Sequence, residues 1–183
     1  MKCMFRAALR PGLDLRLLED RHTDILFALI NSERERLREW LPWVDATETA
    51  DDTRAFIRRS LEQFAADEGF AAGIWNNNAL AGVIGTHKIS WACRKVEIGY
   101  WIAREFEGQG IVTEACRAVV THLFRELDLN RVAILCATGN TKSCAIPPRL
   151  GFRFEGTLRE YELCSGQYLD LNVYAMLKRE WPG

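Results

Sequence analysis

Apolar residues in the first seventy positions predict one short strand followed by two helices. Residues 13–18, Leu-Asp-Leu-Arg-Leu-Leu, have strand-like spacing, and residues 20–40 have helical spacing. The apolar positions of that first helix are Ile25, Leu29 and Ile30. Thr49, with Asp52 three positions later, is typical of the start of a second helix, which is predicted to end at Gly69. Its apolar face consists of Phe56, Ile57, Ser60, Leu61 and Phe64.

Three apolar runs separated by polar turns follow these helices. They span residues 70–75, 80–89 and 96–103. Three consecutive asparagines, 76–78, separate the first two runs, and a polar break at residues 90–95 separates the second from the third. Short turns between apolar runs are typical of antiparallel strands, so this region is predicted to be a three-stranded meander.

The second half of the chain alternates between helices and strands. A turn at Gly108-Gln109-Gly110 is predicted to open a helix that ends near Leu127, because apolar residues then recur with a helical period. Residues 132–137 predict a strand, and residues 141–150 predict a short helix. The last two apolar segments, predicted to form a hairpin around a turn at 165–167, are residues 152–163 and 168–177.

This order of elements predicts an α/β (α+β) fold in which helices flank a mixed, mainly antiparallel central sheet. No repeat, low-complexity tract or linker divides the sequence, so residues 1–183 are expected to form a single domain. The net charge of −1, with 27% charged residues of both signs, argues against a nucleic-acid partner. No apolar run reaches the roughly 20 residues that cross a bilayer. The N-terminus lacks a signal-peptide pattern, so we expect a cytoplasmic protein without a membrane partner.

Six cysteines are scattered along the chain without a Cys-x-x-Cys pair or a Cys/His cluster. They are Cys3, Cys93, Cys116, Cys136, Cys144 and Cys164. This spacing favours reduced, mostly buried thiols over a disulfide framework, and we expect no metal site.

The strand that runs into Gly108-Gln109-Gly110 and then into a helix is the most informative segment. Glycines permit positive φ and close approach of a ligand, and the N–H groups at a helix start bind anions such as a pyrophosphate. On these residues alone, a plain tight turn is equally consistent. No Gly-Lys-Ser/Thr follows, which argues against a Walker-type phosphate loop.

About thirty residues later, Asn140 and Ser143 open another predicted helix directly after a strand. Asn140 can cap this helix or offer its amide to a ligand, and the Ser143 hydroxyl in the first turn can face the same cleft. Taken alone, this segment is explained most simply by capping. Pro147 and Pro148 lie within the same helix and predict that it is shortened or bent.

Together these two segments resemble the GCN5-related N-acetyltransferases (GNAT). The strand–Gly-x-Gly–helix unit resembles the pyrophosphate loop of that family, and Asn140-x-x-Ser143 followed by Arg149-Leu-Gly-Phe152 resembles its second acetyl-CoA motif. Within the family, several segments are similar to the ribosomal-protein-serine/alanine acetyltransferase (RimJ/RimL-like) branch. They are Glu-Ile-Gly-Tyr-Trp-Ile, Gly-x-Gly-Ile-x-Thr-x-Ala, Leu-Asn-Arg and the closing Glu-Gly-x-Leu-Arg-Glu.

The resemblance implies a GNAT fold, acetyl-CoA as cosubstrate and no metal. It implies a set of cofactor-binding residues in the strand, the loop and the second motif. They are Ile98, Tyr100, Trp101, Ile102, Gly108, Gln109, Gly110, Ile111, Val112, Thr113, Asn140, Lys142 and Ser143. The family loop has Gln or Arg where this chain has Glu105, so backbone N–H groups must contribute most of the phosphate binding here.

The resemblance also implies direct attack of an amine on the thioester, without a covalent enzyme intermediate. Mapped by motif, Ser143 is the candidate acid for the departing thiolate and Glu162 is the candidate base for the amine. Strand alternation predicts that Glu160 and Glu162 share a face, where two close carboxylates can raise one pKa toward the range of a useful base. Glu97 as the base, water-mediated deprotonation, and a solvated or ion-paired Glu162 are open alternatives.

Candidate acceptor-binding residues are Trp40, Trp43, His87 and Glu97. Leu41-Pro42-Trp43 links the two early helices, a segment that covers the acceptor side of the cleft in the resembling family. The tryptophans can equally belong to the core, and His87 is either a relay or a structural histidine.

The chemistry of the acceptor favours an N-terminal amine. An α-amine with a pKa of about 7.7–8.0 is roughly 10–20% neutral at pH 7, whereas a lysine amine with a pKa of about 10.4 is below roughly 0.1% neutral. A carboxylate base therefore suits an α-amine, in agreement with the protein N-terminal acetylation of the resembling branch. The alternatives are a small amine (an aminoglycoside, a polyamine or an aminoacyl-nucleotide) and a non-catalytic acyl-CoA-binding module. A homodimer is implied by the resemblance alone.

Overall fold

The computed structural model describes residues 6–182, in which eight strands form one sheet with helices on both faces. The strands are β1 (Arg6–Arg10), β2 (Leu13–Leu17), β3 (Ala71–Asn76), β4 (Ala79–Thr86), β5 (Lys95–Ile102), β6 (Arg131–Ala137), β7 (Arg153–Cys164) and β8 (Gln167–Leu177). The helices are α1 (Thr23–Leu37), α2 (Ala50–Ala65), α3 (Ile111–Arg125), α4 (Thr141–Cys144) and α5 (Ile146–Arg149). The strand order across the sheet is β1-β2-β3-β4-β5-β6-β8-β7. Six of its seven neighbouring pairs are antiparallel and β5–β6 is parallel, which confirms the predicted mixed, mainly antiparallel sheet.

The N-terminal hairpin corrects the sequence prediction. Residues 13–18 were expected to hold the first strand, but β1 precedes it and pairs antiparallel with β2. Gly12, in the turn between them, has a left-handed φ of 80°, which favours glycine. β1 lies at the sheet edge with alternating exposed and half-buried residues, so its five positions carry little apolar signal.

Two apolar cores fix the helices against opposite faces of the sheet. Neighbouring residues of one strand point to opposite faces, so Ile74 and Trp75 belong to different cores. The core beneath α3 includes Ile111, Ala115, Val119, Leu123, Leu15, Ile74 and Ile84. The core beneath α1 and α2 includes Leu26, Ile30, Ile57, Trp75, Leu80 and Val83.

The two early helices form where the sequence predicts them, but part of their predicted apolar face is wrong. In α1 the buried residues include Leu26 and Ile30, whereas Ile25 is 44% exposed. The α2 capping box is confirmed, since the Thr49 side chain accepts a hydrogen bond from the N–H of Asp52. Phe56 is 39% exposed, so it does not belong to the core. The buried residues of α2 are Thr53, Ile57 and Ser60.

The predicted helix over residues 141–150 is confirmed as a broken one. It consists of α4 and α5, each four residues long, with Ala145 between them. Pro147 and Pro148 cannot donate backbone hydrogen bonds, so one continuous helix cannot form here.

Several predictions about sites and membranes concern the described residues 6–182. Within that range Cys93, Cys116, Cys136, Cys144 and Cys164 are free thiols, and Cys3 lies outside it. No group of three or more His, Cys, Asp or Glu side chains is arranged to hold a metal ion in this range. None of its helices is both long and apolar enough to cross a membrane.

Candidate active site

The candidate site is a cleft that opens where β5 and β6 separate. The two strands pair only from Lys95 to Glu97 on β5, opposite residues 131–133 on β6. Beyond this pairing, residues 98–102 and 134–137 line a cleft of about 1190 Å³. This volume exceeds the roughly 300–1,000 Å³ of an ordinary small-molecule pocket, so two substrates can lie in it together.

The turn before α3 presents backbone N–H groups to one end of the cleft. Gly108 and Gly110 have left-handed φ values of 73° and 75°, and a Cβ on either would meet no backbone atom. The first helical hydrogen bond runs from the N–H of Glu114 to the carbonyl of Gly110 at 3.0 Å. The three preceding N–H groups, of residues 111–113, therefore have no partner within the helix. Free donors at the positive end of a 15-residue helix form a site suited to a phosphate group.

Two residues of this loop point away from the cleft. The side-chain amide of Gln109 donates a hydrogen bond to the carbonyl of Glu105 at 2.9 Å. Both side chains are exposed, and neither residue lines the cleft. The Glu105 carboxylate, which departs from the family pattern, is therefore outside the cleft, and Gln109 has its backbone alone to offer a ligand there.

Glu107 joins the two sides of the cleft mouth. Its carboxylate binds Arg36 of α1 at 2.9 Å and also binds Lys142 of α4. The Glu107 side chain is 19% exposed, whereas that of Lys142 is 77% exposed. Lys142, a predicted cofactor residue, thus lies at the rim of the cleft with its ammonium group on Glu107.

Tyr100 and Ser143 bring two hydroxyl groups together inside the cleft. The Asn140 side chain accepts a hydrogen bond from the N–H of Ser143 at 3.1 Å, which confirms the predicted cap of α4. The Tyr100 hydroxyl donates to the Ser143 carbonyl at 3.3 Å, and the two hydroxyl oxygens are 3.5 Å apart. Burial, followed by the nearby thiols of Cys116 and Cys136, raises the pKa of Tyr100 well above its usual value. The phenol therefore remains a proton donor at neutral pH.

Glu97 and Glu162 form the carboxylate pair of the cleft. Both line it, and the Nε2 atom of His87 lies 3.5 Å from Oε1 of Glu97. Burial raises the pKa of Glu97; the His87 imidazole lowers it, and the Glu162 charge raises it. A half-buried carboxylate with a raised pKa, here that of Glu97, suits proton acceptance from an amine.

The predicted pairing of Glu160 with Glu162 is wrong. β7 pairs Leu158 with Leu171 of β8 but Glu162 with Leu169, so two extra residues bulge out of β7 between these pairs. Glu160 lies in this bulge with a left-handed φ of 47°, and its N–H donates to the Asp170 carboxylate. Strand alternation is lost at the bulge, so Glu160 does not line the cleft, whereas Glu162 lines it together with Glu97.

The early tryptophans lie in the wall of the cleft. Trp43 is 38% exposed and its ring is 6.4 Å from that of Trp101, at a tilt of 47°. Trp40 packs on Gly139, where a Cβ would lie 3.2 Å from the indole ring. Trp75 is 5% exposed and belongs to the core.

Sequence comparison identifies the family. The acetyltransferase (GNAT) domain family matches residues 13–153. The chain belongs to this family. A Bacillus subtilis (strain 168) relative with the name "Putative ribosomal N-acetyltransferase YdaF" is 43% identical over 181 residues, which cover 98% of this chain and 99% of the relative. The ribosomal-protein-serine acetyltransferase of Escherichia coli (strain K12) is 29% identical over 166 residues, which cover 91% of this chain and 93% of the relative.

A solved structure gives the same result for the fold of this GNAT acetyltransferase. The structure of RimL, described as a ribosomal L7/L12 alpha-N-protein acetyltransferase in complex with coenzyme A, superposes with a TM-score of 0.91. It is 28% identical, and the alignment covers 94% of this chain and 97% of that chain. The GNAT fold and the N-acetyltransferase activity expected from the resemblance are confirmed.

Most of the predicted site residues of this acetyltransferase meet in the cleft, and sequence reasoning missed part of its wall. The missed residues include Arg36, Asp52, Phe56, Arg59, Gln63, Phe106 and Glu107. Phe56 was assigned to the core because its spacing in α2 is that of an apolar face. The positions 52, 56, 59 and 63 recur at helical spacing, a pattern that could have indicated a second functional face of α2.

Proposed function

We propose that this acetyltransferase transfers the acetyl group of acetyl-CoA to the α-amine of a protein N-terminus. The observation that carries the proposal is the meeting of two groups in one cleft: the carboxylates of Glu97 and Glu162, and the hydroxyls of Tyr100 and Ser143. An amine that attacks a thioester must lose a proton, and the departing thiolate must gain one. The names of the relatives, which refer to ribosomal proteins and an α-amine, support a protein acceptor.

Acetyl-CoA is proposed to lie between β5 and β6. Residues 98–102 of β5 lack β6 as a partner, and although the Ile102 carbonyl accepts a hydrogen bond from Arg36, other N–H and C=O groups on that edge are available to the amides of the pantetheine arm. The free N–H groups of residues 111–113 suit the pyrophosphate. Asn140 and Lys142 line the same part of the cleft and complete the proposed cofactor set. The coenzyme A in the RimL structure supports this cosubstrate.

Proton transfer is proposed to use both the carboxylates and the hydroxyl groups of the cleft. Glu162 accepts the proton of the attacking amine, and the half-buried Glu97, whose pKa is raised by burial and further by the Glu162 charge, lines the same cleft. The Ser143 hydroxyl donates a proton to the departing thiolate and regains one from water, and the Tyr100 hydroxyl oxygen, 3.5 Å away, accepts a hydrogen bond from Ser143 that holds it in place beforehand. Trp40, Trp43 and His87 are proposed to contact the acceptor, because all three line the cleft.

We further propose that residues 1–183 form a single cytoplasmic domain that acts as a homodimer. The support for a dimer is the exposed apolar surface of β7, which is an edge strand. Its exposed large apolar residues are Phe154, Leu158, Tyr161 and Leu163. Light scattering of the purified chain tests the dimer, and Leu163→Asp should shift it to monomer.

The acceptor class is tested by coenzyme A thiol release over a panel of N-terminal peptides, polyamines, aminoglycosides and an aminoacyl-nucleotide. We expect the highest kcat/KM with a peptide that has a free α-amine, and no activity with the same peptide once its N-terminus is blocked. Mass spectrometry should place the acetyl group on the α-amine. Turnover of a small amine alone would refute the proposed protein acceptor.

A further inference from the structure

α2 presents a row of side chains to the cleft that the proposed chemistry does not use. This row, the α2 stripe, consists of Asp52, Phe56, Arg59 and Gln63. From residue 52 to residue 63 the helix rises roughly 16 Å, at about 1.5 Å per residue. An extended peptide covers that length with about five residues, at about 3.3 Å each. The stripe therefore has the length of a short peptide, which is more than a small amine needs.

Arg59 differs from the other arginines of the two early helices and their linker. Each of the others binds a carboxylate or a carbonyl within the protein; they are Arg34, Arg36, Arg38, Arg54 and Arg58. For Arg59 the described residues 6–182 supply neither an ion pair nor a hydrogen bond, and Arg59 is exposed. Its neighbour Arg58 faces outward and binds Asp20 at 2.8 Å. Arg36 also lines the cleft but is paired with Glu107, so Arg59 is the unpaired guanidinium that the two early helices present to the cleft.

The other charges on this wall already have partners. The Asp52 carboxylate accepts hydrogen bonds from the backbone N–H and the hydroxyl of Thr49. Lys88, on the facing side of the cleft, pairs with Glu68 at 2.7 Å. Arg149 of α5 also lines the cleft without an ion pair in residues 6–182, but on the α2 side of the cleft Arg59 is the uncompensated positive charge. Its planar fork of N–H donors matches a carboxylate in bidentate geometry.

We propose that Arg59 binds an acidic side chain within residues 2 to 5 of the acceptor, so that it selects acidic protein N-termini. This inference rests on the proposed acetylation of a protein N-terminus. The α-amine lies at Glu162 and Glu97, and the following residues of the acceptor extend along the α2 stripe past Phe56 to Arg59. An arginine at this position discriminates against an amide in the acceptor, because the amide forms no ion pair with the guanidinium. It discriminates against a lysine, because the two positive charges repel each other.

The test compares peptides that share one neutral sequence with a free N-terminus and carry Asp, Asn or Lys at one of positions 2 to 5. With the wild-type protein, we expect Asp to exceed Asn in kcat/KM by about tenfold at one position, the scale of one charge-assisted pair. Arg59→Gln should lower the kcat/KM for the Asp peptide to that for the Asn peptide, while the KM for acetyl-CoA stays constant. Arg59→Glu should reverse the preference toward Lys. Arg58→Gln is the matched control and should retain the preference for Asp.

The outcomes separate this inference from the proposed function. Peptides acetylated without any preference for Asp, or a preference that survives in Arg59→Gln, would overturn the role of Arg59 and leave N-terminal acetylation standing. Turnover of an aminoacyl-nucleotide with no peptide acetylated would overturn both, since Arg59 would then serve a phosphate group. A reversed preference in Arg59→Glu is the result that a merely structural arginine cannot produce.

Discussion

The imidazole of His87 and the carboxylate of Glu97 meet at the edge of the cleft, with Nε2 3.5 Å from Oε1. The backbone N–H of His87 also donates to the Glu97 carbonyl at 2.9 Å, which fixes the two residues side by side. The His87 side chain is 67% exposed, whereas that of Glu97 is 34% exposed. Glu162 acts on Glu97 from within the cleft. The charge state of Glu97 therefore responds to burial, to an imidazole and to a second carboxylate.

Glu97→Gln should make the protein more stable at pH values above the raised pKa of Glu97. Burial raises the pKa of Glu97, and the Glu162 charge adds to this effect although His87 opposes it. A carboxylate whose pKa rises on folding binds its proton more tightly in the folded state. Stability is then lost as the pH rises from the ordinary pKa of a glutamate through the raised one. Above this pH range, the free energy of unfolding of Glu97→Gln should exceed that of the wild type. Below this pH range, the two free energies of unfolding should approach each other. A wild type that is the more stable protein above this pH range would contradict the prediction.

Glu162→Gln and Ser143→Ala should each lower kcat by roughly 10²-fold, the usual contribution of one general base or acid. Acetyl-CoA binding, measured by calorimetry, should change little, because neither side chain belongs to the N–H cradle of α3. Glu160→Gln is the matched control, since Glu160 lies in the β7 bulge outside the cleft. If Glu162→Gln leaves kcat and its pH profile unchanged, Glu162 has no role as the base.

Gly110→Asp should abolish acetyl-CoA binding while the fold survives, and Gly108→Glu should do the same. Both positions have open space for a side chain, so a carboxylate would be accommodated but would repel phosphate at the N–H cradle. The left-handed φ adds a strain of about 1–2 kcal/mol. Gly166→Asp is the control, because Gly166 has a φ of 80° and equally open space in the β7–β8 turn. Calorimetry that finds wild-type affinity for coenzyme A in folded Gly110→Asp would refute the phosphate site.

Trp43→Ala should raise the KM for the acceptor while the KM for acetyl-CoA stays near that of the wild type. Trp43 is 38% exposed in the cleft wall, so its removal takes away contact with the acceptor rather than core packing. Trp75→Ala, in the core, should instead lower the free energy of unfolding by about 3–5 kcal/mol. Thermal unfolding beside both KM values separates the two effects. A large fall in Tm for Trp43→Ala without a selective change in acceptor KM would place Trp43 among the structural residues.

The elements that the sequence predicts correctly are those whose own residues decide the structure. The α2 capping box needs only Thr49 and Asp52, and the broken helix after Asn140 needs only Pro147 and Pro148. These features depend on contacts within a few positions of the chain. They are therefore visible without knowledge of the tertiary structure.

The features that escaped prediction depend on contacts between distant segments. The β7 bulge is fixed by the hydrogen bond from Glu160 to Asp170 on β8, and no alternation rule contains it. β1 is an exposed edge strand with few apolar residues. Phe56 has the spacing of a core residue, and its exposure follows from the cleft that opens beside α2. The pairing of Glu97 with Glu162 likewise requires β5 and β7 to be placed in three dimensions.

The short pairing between β5 and β6 also divides the sheet into two folding units. β1 to β5 pair in chain order within residues 6–102, and β6, β8 and β7 pair within residues 131–177. Contacts between sequence neighbours need little loop closure, so each half can form early. The three residue pairs that join the halves require the whole crossover through α3, and we expect their amides to exchange hydrogen faster than those within either half. A ligand that lies between the unpaired parts of β5 and β6 would hold the two halves of the sheet together. The protein is therefore expected to be most rigid while such a ligand is bound.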